Sequence, residues 1–522
     1  MSNRVRLRWP QRSLLVRWFF LRGLGLVYAV AFTSLSRQVL GLYGRRGIVP
    51  ISDKLANARR VTGGQLGARL SRRPTIFWWT NSDLALLGAC RAGQLFSLAL
   101  VLNLAPRFSL AVLWALYLSF VCVGDPFLSF QWDALLLEAS SSGLLAAPSG
   151  LRPKWGREAA PWQVSLLLRW LAFRLHFQSG LAKLRSGDRT WRNLTAVHHH
   201  LETQPLPTPP GWYARQLPLR VHQAATAAVL VLECVVPWAT FGGRRVRELG
   251  FAALCALQLA IATTGNFAFF NVLSVVILLW LLDHREPSGM GRGSRRALIA
   301  LHPARHPARE TLPRRVRSVL ASLCAASLFV LSVLTHVAAR GRRRLPGAVR
   351  RWLTRVSAIH SINSYGLFSR MTTRRLEVDI EGSEDGVNWQ QYEYRYKLSG
   401  PQSRPRWIAP HQPRLDWQMW FAALGPPPVW FMRLVLRLLE GSPAVLALFR
   451  SCPFPERPPR YARAVLYECR IATLGERRAL GAWWRRERLG LYLPVLRLSD
   501  EARPRRSLDE GAAPARAHTT SE

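Results

Sequence analysis

Apolar residues along this chain gather into runs about as long as a bilayer crossing, which takes roughly 20 residues of helix. Eight runs are plain, at 14–34, 84–104, 108–124, 162–184, 221–241, 249–265, 267–283 and 318–338. A ninth, 127–147, is apolar but carries Asp133 and Glu138. After residue 340 the pattern changes: 341–351 ("GRRRLPGAVRR") is a basic linker, and no later run is apolar enough to span. Alternation of apolar and polar positions across 374–398, on both sides of "GSEDG", predicts a β-hairpin. A short amphipathic helix is expected around 430–449, and a strand at "LYECRIAT". The fold class that follows is a multi-pass α-helical membrane bundle of about nine spans (1–340), joined by the linker to a small β-rich (α+β) extramembrane domain (352–498), with a disordered tail at 499–522.

Charge refines this. The chain has 522 residues, 49% of them hydrophobic, and a formal net charge of +42. That charge alone suits nucleic acid, but the basic residues are nearly all arginine, the lysines being Lys54, Lys154, Lys183 and Lys397, and they flank apolar runs. The partner implied is the lipid bilayer, with no nucleic acid. If 127–147 spans and the N-terminus is cytoplasmic, the inner loops carry 19 Lys or Arg in 70 residues, denser than the outer loops. Without that span the arginine-dense 284–316 loop would fall outside, so nine spans with the N-terminus in and the C-terminus out are expected. Asn193, in the sequon Asn193-Leu194-Thr195, then lies on the outer or lumenal side, where a eukaryotic cell would glycosylate it. The first run lacks an A-x-A-like cleavage site and reads as a retained anchor.

Ionisable groups inside spans are functional candidates by default. Arg169, His176 and Lys183 are spaced by seven and share one helical face, while Asp133, Glu138 and Glu233 offer acids on neighbouring spans. Three readings follow: a structural polar network, interfacial snorkelling by residues near the span ends, or a cavity with Lys183 as base or cation and His176, Glu138 and Asp133 as further catalytic groups. No GxSxG elbow, P-loop, HExxH or dinucleotide fingerprint is present, so no cofactor is called for. The stretch 196–212, "AVHHHLETQPLPTPPGW", raises zinc, yet consecutive histidines converge on one ion only if the backbone turns sharply, so no metal is expected. Pro205, Pro207, Pro209 and Pro210 should hold it extended as a stiff surface loop, with Trp191 and Trp212 as interfacial anchors. Cys452 and Cys469 could pair; the other five cysteines lie within apolar runs.

Several stretches closely resemble the lipase maturation factor family: "LYGRRGIVP" (42–50), "FLSFQWDALLLEA" (127–139), "FQSGLAKLRSGDRTWRNLTAVHHHLETQPLPTPPGW" (177–212), "TGNFAFFN" (264–271), "SINSYGLFSRMTTRR" (361–375), "PHQPRLDWQMWFAALG" (410–425), "RLLEGSPAVLALF" (437–449) and "GAWWRR" (481–486). The resemblance runs in order over roughly 14–498. It implies a multi-pass membrane protein, in the endoplasmic reticulum of eukaryotes, that assists secreted lipases or other exported clients. The family's loop reads close to "YHYETQ", so His200, Glu202, Thr203 and Gln204 match, whereas His199 and Leu201 replace aromatics. The compact, arginine-rich chain resembles bacterial members of the family at least as much, which implies the inner membrane and a periplasmic C-terminal domain. Under this reading His200, Glu202, Gln204, Trp407, Trp417, Trp420 and Phe421 are the candidate loop and client contacts. The "EGSEDGVNW" hairpin also resembles a turn of discoidin-type binding modules. A weaker, local resemblance around "FQSGLAKLRSGDRTW" is to the membrane domain of vitamin K-dependent carboxylases; it implies instead an enzyme acting on a lipid or quinone-like substrate through Lys183.

Overall fold

The computed structural model describes residues 12–153, 160–283, 312–340, 347–348, 351 and 357–498. The expected linker lies almost wholly outside the described residues, and the expected tail entirely so. All nine apolar runs form helix. Five of these helices are long and apolar enough to cross a membrane: Ser13–Ser36, Asp83–Val101, Pro106–Val123, Leu219–Phe241 and Arg244–Thr264. The other four runs differ. Gln131–Ala146 is a helix of only 16 residues, and Phe270–Leu282 is likewise short, while Leu312–Arg340 has a short apolar stretch at Val319–Thr335. Trp162–Arg185 is long enough but carries Arg169, Arg174, Lys183 and Arg185. The architecture is therefore a helical membrane region followed by a region with strands, with nine full crossings left as an expectation.

The helix ends follow local chemistry. Ser82 caps Asp83–Val101 by accepting from the Ala85 amide, and Pro106 opens the next helix at a position where its missing N–H costs nothing.

The strands come late in the chain. Four form an antiparallel sheet in the order β2 (Gln390–Gln391), β1 (Arg375–Ser383), β5 (Tyr461–Ile471), β6 (Trp484–Arg497), and β3 (Glu393–Tyr394) pairs with β4 (Phe449–Ser451). The hairpin forms around its expected turn, where Asp385 accepts from the Val387 and Asn388 amides, both at 2.8 Å. Its return arm is brief: β1 pairs with β2 only at Glu381 and Gly382, and takes β5 along its whole length instead. Beyond Gln391 the arm leaves β1, with Glu393 and Tyr394 pairing with β4 and the amides of Tyr396 and Lys397 taken by the Asp416 carboxylate at 2.8 Å each. The amphipathic helix is found at Val429–Leu439, burying Trp430, Phe431, Leu434, Val435, Leu438 and Leu439.

The apolar core is continuous between the two regions. Phe20, Leu35 and Leu136 of the helices belong to the same packed cluster as Val378 and Ile380 of β1 and Leu434. Along that shared boundary the apolar packing is interrupted by buried ion pairs.

Candidate functional site

Buried charges lock the seam where the C-terminal region docks on the helices. Asp133, in Gln131–Ala146, meets Arg414 at the start of the helix Arg414–Ala422, with two parallel contacts of 2.9 and 3.0 Å and both side chains fully buried. Tyr117 donates to the same carboxylate at 2.5 Å, and Arg414 also donates to the Phe127 carbonyl at 2.7 Å. Glu138 pairs with Arg174 and accepts from the Asn363 amide at 2.9 Å and the Tyr365 hydroxyl at 2.6 Å. Lys183 donates to Glu233 at 2.5 Å. Each of these charges taken out of water thus has a partner, the condition under which burial is tolerable.

The expected stripe of Arg169, His176 and Lys183 does not meet Asp133 and Glu138. Arg169 donates to the Trp280 and Asp283 carbonyls, His176 lies 3.1 Å from the Gln258 amide nitrogen, and Lys183 turns to Glu233. The helix Trp162–Arg185 presents a different face, that of Arg174, to Gln131–Ala146. Lys183, His176 and Glu233 line a cavity of about 100 Å³ together with His200, Gln258 and aromatic side chains; Asp133 and Glu138 do not. The four residues considered for catalysis therefore fall into separate environments, Lys183 and His176 at this cavity and Asp133 and Glu138 in ion pairs away from it.

The stretch 196–212 differs from a stiff extended loop. Ala196–Thr203 is helix, so its three histidines point apart: His198 Nδ1 lies 3.0 Å from His222 Nδ1, His199 is half-buried, and His200 lines the cavity, stacked on Phe267. Among the described residues no three His, Cys, Asp or Glu side chains form a metal cluster. Glu202 accepts from the Ile471 amide at 2.6 Å and pairs with Arg215 at 2.7 Å. The Gln204 side chain donates to the Thr264 carbonyl at 2.9 Å, and the Gln204 backbone carbonyl accepts from Arg375 at 2.6 Å. Thr208 then caps a second helix, Pro209–Arg215, by accepting from the Gly211 amide, with prolines in the first turn. Gly211 is required: a Cβ there would collide with the Thr264 carbonyl. Pro209 and Pro210 start a helix instead of keeping the segment extended, while Pro205 and Pro207 lie outside it and Pro207 bridges to Gly265.

Trp191 and Trp212 are buried instead of interfacial. Trp191 donates to the Phe368 carbonyl at 3.1 Å and Trp212 to the Trp483 carbonyl at 2.9 Å, so both indoles tie the loop to the C-terminal region. Trp417 is buried too, packed on Phe130 and Trp132, and Trp420 donates to the Thr203 carbonyl at 2.7 Å. Of the candidate client contacts, Trp407 (57% exposed) and Phe421 (43%) keep large free surfaces. Asn193 is exposed. Cys452 and Cys469 are free thiols.

Sequence reasoning did not find Arg414, Arg174, Asn363, Tyr365 or Arg375, the partners that complete the seam. Arg414, Asn363, Tyr365 and Arg375 lie within the long stretches 361–375 and 410–425 quoted above, which was the available signal.

Burial, with the Lys183 charge next to it, pushes His200 down to about 4, and burial with Arg215 and the neighbouring histidines does the same to His198. A histidine depressed in the folded state takes up its proton more readily when unfolded. Its stabilising contribution is therefore complete above about 6.5 and is lost as pH falls toward about 4. Asp416, raised by burial to about 6, acts in the opposite sense. The expected result is that His200→Gln flattens the fall in melting temperature between pH 6.5 and 4.5 relative to the parent protein, read by thermal unfolding in detergent. Parallel curves for the two proteins would contradict it.

Residues 15–288 match the family profile described as lipase maturation factor transmembrane domain, and residues 361–494 the one described as lipase maturation factor C-terminal domain. Among curated relatives, human lipase maturation factor 2 is 34% identical, covering 94% of this chain and 83% of the relative. Bovine lipase maturation factor 1 is 34% identical, covering 93% of this chain and 90% of the relative. No solved structure matches.

Proposed function

Since the chain belongs to the lipase maturation factor family, we propose that it is an integral membrane factor that helps secreted lipases reach their active, assembled state. The observation that carries this reading is the order and extent of the match, which takes in both the helical region and the strand-bearing region. Buried ion pairs joining those regions fit a protein that works as one body. In this reading the N-terminus is cytoplasmic, and the C-terminal region faces the endoplasmic reticulum lumen in a eukaryote or the periplasm in a bacterium; the density of arginine in the inner loops supports that orientation. Trp407 and Phe421 contact the client, while His200, Glu202, Gln204, Trp417 and Trp420 hold the seam.

The test is complementation. In cells lacking their own factor, expression of this chain with a secreted lipase should raise the specific activity of the exported enzyme. Trp407→Ser with Phe421→Ser should lower that gain with little change in melting temperature. Lys183→Met with Glu233→Leu, which removes the cavity's ion pair without stranding a charge, should leave it intact. No rise in lipase specific activity would refute the maturation role; loss with the Lys183/Glu233 double variant, at unchanged folding, would favour chemistry at Lys183.

A further inference from the structure

A cleft of about 510 Å³ opens where Pro205, Leu206 and Pro207 of the helical region face the stretch 393–406 of the C-terminal region. Its floor is electrically balanced. Arg375 and Lys397 both grip Glu377, Arg486 pairs with Asp379, and Asp416 lies under the Lys397 backbone. Burial pushes the adjoining Cys469 thiol up to about 12, so it adds no charge.

The rim is not balanced. Arg395, Arg404, Arg406 and Arg450 line the cleft and are all exposed, and against them stands one acid, Glu393. None of the four has an ion-pair partner among the described residues: Arg395 donates to the Ala447 and Phe449 carbonyls, and Arg404 lies over the Trp483 ring. The guanidinium groups come from two separate places in the chain, 395–406 before the helices Arg414–Ala422 and Val429–Leu439 and Arg450 after them. An arginine's planar fork matches a carboxylate or a phosphate in bidentate fashion, so this rim is suited to oxyanions. At roughly 30 Å³ per water the cleft equals about 17 waters, far more than one small oxyanion would fill.

We propose that this cleft is a binding site for an extended acidic peptide segment, its carboxylates taken by Arg395, Arg404, Arg406 and Arg450. The site goes beyond the maturation reading, and its test is a direct binding measurement with no lipase present, so either can fail without the other. The purified full-length chain in detergent is titrated against fluorescein-labelled hexaglutamate and followed by anisotropy. The chain's net charge of +42 makes diffuse attraction the competing explanation. Two charge-matched variants separate the cases: Arg406→Glu with Arg450→Glu at the cleft, and Arg60→Glu with Arg72→Glu at exposed positions elsewhere. Saturable binding is expected, weakened by about tenfold or more in the cleft variant through loss of charge-assisted contacts, and changed less than about twofold in the other. Equal weakening in both variants, or no saturable binding, overturns the proposal. So does displacement by inorganic phosphate at the peptide's own affinity, which would make the cleft a small-anion site.

Discussion

Arg414→Ala is expected to cost more stability than any other single substitution at the seam. It strands Asp133, fully buried, with no cation within reach, and leaves the Phe127 carbonyl without its donor. Breaking a buried pair by removing one partner costs about 3–5 kcal/mol. Set against a total stability of roughly 5–15 kcal/mol, that is enough to empty much of the folded population. Little folded protein should be recovered, and what remains should melt well below the parent. Arg414→Lys should restore only part of the loss, because an ammonium cannot reproduce the two parallel contacts at 2.9 and 3.0 Å. The decisive comparison is Arg414→Met with Asp133→Leu, which removes both charges. Recovery of most of the melting temperature would assign the loss to the stranded carboxylate, whereas a double variant as unstable as Arg414→Ala would show that shape at this point matters more than charge.

The reason Arg414 escaped notice shows where sequence reading ends. Asp133 was visible as an acid in an apolar run, and the cost of an unpaired charge there dictates that a cation must meet it. Which cation was not visible, because the partner lies 281 residues away. Helical periodicity pointed to the Arg169, His176 and Lys183 stripe, but the neighbour of Gln131–Ala146 is the Arg174 face of the same helix. Five of the helices were legible through the length and apolarity of a bilayer crossing, and the other four as apolar runs that are shorter or carry charge. The strands were legible only in part: β1 and β5 carry alternation, while β2 is short because the residues after it leave β1 to pair with β4, far along the chain. The loop at 196–212 misled in another way. Its prolines suggested an extended segment, but Thr208 supplies a cap and the following prolines occupy the one turn of a helix that does not need their amides. Long motifs proved more informative than periodicity. The stretches 127–139, 264–271, 361–375 and 410–425 are scattered in sequence, yet Asp133, Glu138, Asn266, Asn363, Tyr365, Arg414 and Trp417 bring them together at one boundary.

Glu138→Ala should be nearly as damaging as Arg414→Ala, with a different signature. This carboxylate neutralises Arg174, itself buried, and at the same time receives the Asn363 amide and the Tyr365 hydroxyl from the segment that leads into β1. Alanine therefore strands a buried guanidinium, at about 3–5 kcal/mol, and also releases the tether between the helices and the segment before the sheet. Glu138→Gln keeps the shape and one carbonyl acceptor but loses the charge, so it should retain the tether in part while still penalising Arg174. Tyr365→Phe removes a single hydrogen bond to a charged acceptor, worth about 1.5–3 kcal/mol. The expected order of melting temperatures is parent, Tyr365→Phe, Glu138→Gln, Glu138→Ala. Hydrogen exchange supplies the second readout. Amides from 361 to 375 should exchange faster in Glu138→Ala than in the parent at a temperature where both are folded, while those of the helix Arg414–Ala422, held by the separate Asp133 pair, should not. Equal acceleration in both places would mean that the two ion pairs act as one unit and that the seam opens all at once.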